Sequence, residues 1–252
     1  MHILLTNDDG VFAPGLATLA RHIIEKTDHR LSIIAPEVEQ SGKSRAITLF
    51  RSMALKHVQI PTLMTPTFSV DGTPADCVRV GLRYLLEDVD LVLSGINYGV
   101  NVGGDVPYSG TVSAALEAAR LEKPAIALSA QISGRQVFFD TAAEVLLQLL
   151  DILPDDFYHS RTVLSVNTPA RPYADLVGLK VINCDAHITD EYEWVGTAGD
   201  VEYIRICNRY PEQLTVETDL HYVRQGYATL SPLSQIVSSE DEMLLLEEWL
   251  QS

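Results

Sequence analysis

The chain has 252 residues, 46% hydrophobic and 21% charged, with 15 glycines and 12 prolines. These values lie near the globular average, which excludes disordered, collagen-like and low-complexity classes. Its 34 acidic and 18 basic residues give a net charge of −16; such a surface repels polyanions, which disfavours a nucleic-acid duplex or an anionic membrane as partner.

A small phosphorylated substrate is still allowed, because a bound cation reverses the local field. A chain of this length buries roughly three quarters of its extended surface and needs no disulfide to hold a core. Cys77, Cys184 and Cys207 show no CxxC spacing, so they read as reduced thiols of a cytoplasmic protein rather than a disulfide or zinc framework. The N-terminus reaches Asp8 and Asp9 after one short apolar run, which reads as a buried strand rather than a secretory segment. No run approaches the ~18 apolar residues of a membrane span.

In chain order, an apolar strand at 2–6, a helix at 14–27 opened by Pro14 and an apolar strand at 31–36 form one βαβ unit. The right-handed crossover rule makes its strands parallel. Residues 37–72 read as an irregular, partly antiparallel insertion, with short β-like pieces at 46–49, 53–60 and 67–71 broken by Pro61 and Pro66. A helix at 74–86, strand at 90–95, helix at 109–121, strand at 125–129, helix at 136–150 and strand at 162–167 follow. This alternation predicts an α/β fold with a Rossmann-like, doubly wound, mostly parallel sheet. Beyond it, short strands are expected at 179–185, 192–198, 201–207 and 226–230, and an acidic helix at 239–251. We therefore expect a core at 1–170, with 171–252 a β-rich extension of the same domain used for subunit contacts.

Three polar loops follow three of these strands. The first, Thr6-Asn7-Asp8-Asp9-Gly10, sets two adjacent carboxylates where open α/β sheets bind ligands. It is either an Asp-Gly turn or a site for a hard divalent cation, Mg²⁺, Mn²⁺ or Ca²⁺. The second, Gln40-Ser41-Gly42-Lys43-Ser44-Arg45, offers a hydroxyl, amides and cations but lacks P-loop spacing. The third runs from Ser94 to Ser113 and holds Gly99, Gly103, Gly104 and Gly110 with Asn97 and Asn101. So many glycines are costly unless backbone must approach a ligand. Ser109-Gly110-Thr111 then opens a helix, a ready anion site. Strand C-termini share one edge of such a sheet, so Asp8, Asp9, Ser41 and Asn97 can converge there. Asp71-Gly72-Thr73-Pro74-Ala75-Asp76 reads first as a capped helix start, with a pocket for base or sugar at Gly72 and Thr73 the alternative, and Thr218-Asp219 reads as a structural helix-to-strand connection before it reads as part of a site. No GxSxG elbow or histidine pair offers another chemistry.

These stretches resemble the survival protein SurE family of metal-dependent 5′/3′-nucleotidases. The resemblance rests on Ile3–Gly10, Ser41-Gly42, Val70–Val78 and Ser94–Val112. It continues more weakly through Asn167-Thr168-Pro169 and Thr218-Asp219 to Pro232-Leu233. It implies a divalent metal, Mg²⁺ or Mn²⁺ and one ion per subunit, at Asp8, Asp9, Ser41 and Asn97. It implies phosphate or substrate binding at Asn97, Asn101, Ser109, Gly110 and Thr111, with Asp8 and Asp9 also catalytic. The implied reaction is hydrolysis of nucleoside monophosphates to nucleoside and phosphate, with short polyphosphate a side substrate in some members. The implied assembly is a homodimer or homotetramer that exchanges the C-terminal extension. Gln40, in place of a basic residue, and Ser231-Pro232, in place of Thr-Pro, depart from the family pattern and bear on substrate preference and oligomer contacts. An aspartyl-phosphate mechanism is disfavoured because the acids are adjacent rather than spaced DxD. The alternative is a non-catalytic nucleotide-binding oligomer using the same pocket.

Overall fold

The computed structural model describes residues 1–184, 190–208 and 217–234. The chain begins with β1 (His2–Thr6), α1 (Pro14–Lys26), β2 (Arg30–Pro36), β3 (Leu55–His57), β4 (Thr67–Val70) and α2 (Pro74–Val80). It continues through β5 (Leu91–Tyr98), α3 (Gly110–Arg120), β6 (Ala125–Ala130), β7 (Ile132–Ser133), β8 (Gln136–Val137), α4 (Phe139–Ile152), α5 (Asp155–Tyr158) and β9 (Val163–Thr168). The last described elements are β10 (Gly178–Val181), β11 (Asp190–Ala198), β12 (Val201–Asn208), α6 (Asp219–Gln225) and β13 (Tyr227–Leu233).

One nine-stranded sheet in the order β10-β13-β9-β6-β5-β1-β2-β4-β3 carries the fold. Pairing is parallel from β4 through β2, β1, β5 and β6 to β9, and antiparallel at β3–β4 and β9–β13. The central strands are apolar without alternation because both faces are covered. Ile3 and Leu5 of β1 pack with Leu16, Leu19 and Ile23 of α1 and with Leu146 and Leu149 of α4. Leu4 of the same strand faces the other way, into Cys77 and Val78 of α2 and Val112 and Ala115 of α3. The result is an α/β/α sandwich. The chain leaves β1 toward β2 on one side and later returns to lay β5 on the other. β1 and β5 thus flank the switch point, where such sheets open a crevice at their carboxyl edge.

Several expected elements are corrected. Residues 46–49 form no strand; the Thr48 amide and hydroxyl bond to the Asp76 carboxylate instead. The piece expected at 53–60 shrinks to β3. The helix expected over 74–86 ends at Val80 and continues as a wider π-turn over Gly81–Leu85. The helix expected from 136 starts at Phe139, after the small β7–β8 hairpin. The helix-to-strand connection expected after Thr218 is α6 leading into β13; Thr218 caps its start and Gly226, at φ +98°, ends it. β10 and β13 join the main sheet, while β11 and β12 form a separate antiparallel ribbon. The helix expected at 239–251 lies outside the described residues.

Candidate active site

The loop after β1 is shaped by its own side chains. Asn7 Nδ2 donates to the Gly10 carbonyl at 2.9 Å. Gly10 takes φ +103°, a region costly for any residue with a Cβ. The turn presents Asp8 inward, 3% exposed, and leaves Asp9 partly exposed. The loop after β2 is tied to it, with the Gln40 amide donating to the Asp8 carbonyl at 2.7 Å. That loop is in turn tied to the third. The Ser44 amide donates to the Tyr108 carbonyl at 3.1 Å, and the Ser44 hydroxyl to the Pro107 carbonyl at 2.7 Å.

The start of α3 holds Asp8. The Thr111 hydroxyl, fully buried, donates to Asp8 Oδ1. Gly110 is required beside it. A Cβ there would stand 2.8 Å from Asp8 Cβ and 2.9 Å from Oδ2. Ser109 caps the helix by accepting from the Val112 amide at 3.1 Å. Asp9 is fixed from β5, its Oδ2 accepting the Tyr98 backbone amide at 3.1 Å. Asn97 Nδ2 donates to the Gly99 carbonyl at 3.0 Å, so its oxygen is the atom left for a ligand.

Asp8, Ser41, Asn97, Asn101, Asp105 and Ser109 line a cavity of about 470 Å³, and Asp9 lines the hollow next to it together with Ser41. Burial raises the Asp8 carboxyl above the usual carboxylate range, against the lowering pull of the Thr111 hydrogen bond. Asp9 is pushed up to about 6, first by burial and then by the charge of Asp8. Two adjacent carboxylates forced toward the neutral form are an arrangement that a cation relieves. Among the described residues no three His, Cys, Asp or Glu side chains gather as a metal cluster. Neutral oxygens must therefore complete any set, and Ser41 and Asn97 line the cavity beside the pair. A carboxylate, hydroxyl and carboxamide oxygen set suits a hard divalent cation.

The structure therefore brings Asp8, Asp9, Ser41, Asn97, Asn101 and Ser109 together. Thr111 directs its hydroxyl at Asp8 rather than into the cavity, and Gly110 acts by steric clearance. Asn101 is clamped, its amide and carbonyl bonded to Asn167 and its Nδ2 donating to Ser129 Oγ at 2.8 Å. Lys43 and Arg45 are absent from the described lining of the cavity. The turn at 71–76 is a helix cap, with Thr73 and Asp76 exchanging side-chain and backbone bonds. Asp219, read from the sequence as structural, is fully buried and accepts the Gly103 amide at 2.8 Å. Nothing in the sequence points from Asp219 back over 116 residues to the glycine-rich loop.

Fold and site together define a doubly wound α/β protein with an acidic pair and a helix N-terminus at the switch-point crevice. The family model described as survival protein SurE matches residues 3–191. The chain is 38% identical over 251 residues to 5′-nucleotidase SurE of Clostridium tetani, covering 99% of this chain and all of that one. It is 35% identical over 263 aligned positions to 5′-nucleotidase SurE of Histophilus somni, covering 99% of each. A crystal structure of the SurE protein from Aquifex aeolicus superposes with a TM-score of 0.82 at 30% identity, over the full length of both chains. The chain belongs to the SurE family. No helix among the described residues is long and apolar enough to cross a membrane.

Proposed function

We propose that the chain is a divalent-metal-dependent nucleotidase that hydrolyses nucleoside 5′- and 3′-monophosphates to nucleoside and phosphate in the cytoplasm. The observation that carries this reading is the convergence of three loops from three parallel strands. They line one cavity with Asp8, Ser41 and Asn97, and Ser109 at the start of α3 forms part of its wall. The relatives' names, 5′-nucleotidase, support its nucleotidase part.

Asp8, Asp9, Ser41 and Asn97 would hold one Mg²⁺ or Mn²⁺ per subunit. When bound, the ion would polarise the phosphoryl group and make water a better nucleophile at neutral pH. The residues of the chain do the positioning. Thr111 and Gly110 fix Asp8; the Tyr98 amide fixes Asp9. Asp9, the more exposed of the pair, orients the attacking water. Ser109 and the positive end of α3 hold phosphoryl oxygens and stabilise charge that develops on them. Short polyphosphate fits the same chemistry as a side substrate. The β11–β12 ribbon leaves Tyr192, Trp194, Val195, Tyr203, Ile204 and Ile206 exposed, and we assign it to contacts in a homodimer or homotetramer.

The test is phosphate release from 5′- and 3′-nucleoside monophosphates with Mg²⁺ or Mn²⁺, beside an EDTA control. Metal-dependent release supports the reading. Nucleotide binding without release at saturating metal would replace it with a non-catalytic nucleotide-binding oligomer.

A further inference from the structure

Helices α1 and α4 cover the same face of the sheet, and the seam between them holds a cluster of charges built around one histidine. His22 of α1 is 3% exposed. Its Nδ1 stands 3.0 Å from the Thr18 carbonyl oxygen. A carbonyl only accepts, so Nδ1 carries the hydrogen of this bond. Nε2 is turned to α4, 3.5 Å from Asp140 Oδ1 and 3.6 Å from Glu144 Oε1. With the ring neutral, Nε2 is a lone pair facing two carboxylate oxygens. With the ring charged, Nε2 is a donor set between them.

The neighbouring charges favour the charged ring. Arg21 Nη2 donates to Asp140 Oδ1 at 2.8 Å, and Arg21 Nη1 lies 3.5 Å from Glu25 of its own helix. Lys26 Nζ donates to Glu144 Oε1. Three carboxylates therefore meet two permanent cations, and the cluster is balanced only when His22 supplies a third. Strands β1, β2 and β5 beneath α1 send Ile3, Leu5, Ile33 and Leu93 into the core they share with it, and none of these carries a charge. Arg21, Lys26 and Asp140 are open to water, so their pairs contribute little by themselves. His22 and Glu144 are the sheltered members, with side chains 4% and 31% exposed, and their interaction is screened less.

The seam begins beside the acidic pair. Gly15 lies in the first turn of α1, and a Cβ there would stand 3.0 Å from Cε1 of Phe139, the first residue of α4. Both residues line the hollow that Asp9 also lines. Asp140 follows Phe139 directly.

We propose that His22 is a pH-sensitive clamp on this seam. The doubly protonated ring holds Asp140 and Glu144 and fastens the start of α4 to α1. Release of the Nε2 proton to solvent makes the contact repulsive and loosens the two helices where they border Asp9. The clamp stands apart from the nucleotidase reading, because His22, Asp140 and Glu144 line neither the main cavity nor the hollow.

Amide hydrogen exchange of the full chain in Mg²⁺ tests it at about pH 5.5 and about pH 8, across the range in which histidine changes charge. Rates are corrected for the intrinsic effect of pH. In the unaltered protein the corrected exchange of residues 18–26 and 140–145 should rise roughly fivefold at the higher pH, the size expected for loss of one partly screened ion pair. Helix α2, on the opposite face, should show no such rise. His22→Gln keeps a polar side chain that cannot change charge, so its exchange in the two segments should not vary with pH. Glu144→Gln removes one of the two carboxylates and should shrink the rise. No rise in the unaltered protein, an equal rise in α2, or the same rise in His22→Gln would overturn the proposal. If His22→Gln fails to fold, Glu144→Gln decides: an undiminished rise overturns the clamp, and a smaller one upholds it.

Discussion

Gly110 clears the space that Asp8 occupies: a Cβ at 110 would lie 2.8 Å from Asp8 Cβ and 2.9 Å from its Oδ2. The glycine opens α3, where it contributes little to helix stability. The preference of about 1 kcal/mol for alanine belongs to helix interiors, so at this first position it is the carboxylate, not the helix, that the glycine serves. Gly110→Ala is predicted to leave the thermal midpoint close to that of the unaltered protein. Mn²⁺ affinity should fall at least tenfold as Asp8 is displaced. Calorimetric titration of the two proteins checks this; equal affinities would remove the steric role.

Thr111 supports the same carboxylate by a hydrogen bond. Thr111→Val keeps the shape and deletes the donor, so a buried acceptor loses its partner, at a cost of about 1–3 kcal/mol. Chemical denaturation of the metal-free protein should show that loss. Added Mn²⁺ should recover part of it by binding only the folded state.

The acidic pair also sets a pH dependence with a definite sign. Asp8 and Asp9 both have raised pKa values in the folded chain, Asp9 at about 6 against 3.8 unfolded. Between those values the folded state holds protons that the unfolded state has released, so stability falls as pH rises through that window. The metal-free protein should therefore be more stable at pH 5 than at pH 7 with respect to this site. A divalent cation must displace those protons, so the stabilisation it gives should grow from pH 5 to pH 7. Thermal midpoints with and without Mn²⁺ at the two pH values test both trends. In Asp9→Asn the metal-free pH trend should shrink.

Asp219 reaches the glycine-rich loop from α6 through the Gly103 amide. Asp219→Ala should loosen the segment 99–108 without touching the acidic pair. Hydrogen exchange at Gly103 should rise at least tenfold. KM for AMP should rise while Mn²⁺ affinity stays within a few-fold.

Much of this was legible in the residues themselves. The strands at 2–6, 31–36 and 162–167 are apolar runs bounded by turn signals, and each lies within two residues of its observed place. The grouping of Asp8, Ser41 and Asn97 followed from parallel-sheet topology, because strand ends share an edge whatever their separation in sequence. What remained hidden depends on contacts that sequence does not order. Thr48 looked like part of a strand, but its bonds go to Asp76. The bond from the Thr111 hydroxyl to Asp8 joins a helix start to a loop 103 residues away, a pairing no sequence pattern gives. The rings of Tyr98 and Phe139, from β5 and α4, stand 6.5 Å apart, and their proximity comes only from packing.

The central claim is that Asp8, Asp9, Ser41 and Asn97 form one divalent-cation site on which phosphate release depends. Mn²⁺ binding and AMP hydrolysis measured side by side on the unaltered protein, Asp8→Asn and Asn97→Ala test it most directly. The account predicts one ion per chain, metal-dependent release that EDTA abolishes, and parallel loss of binding and release in Asp8→Asn with the fold retained. Release that persists in Asp8→Asn at the unaltered rate, or in the presence of EDTA, would contradict it.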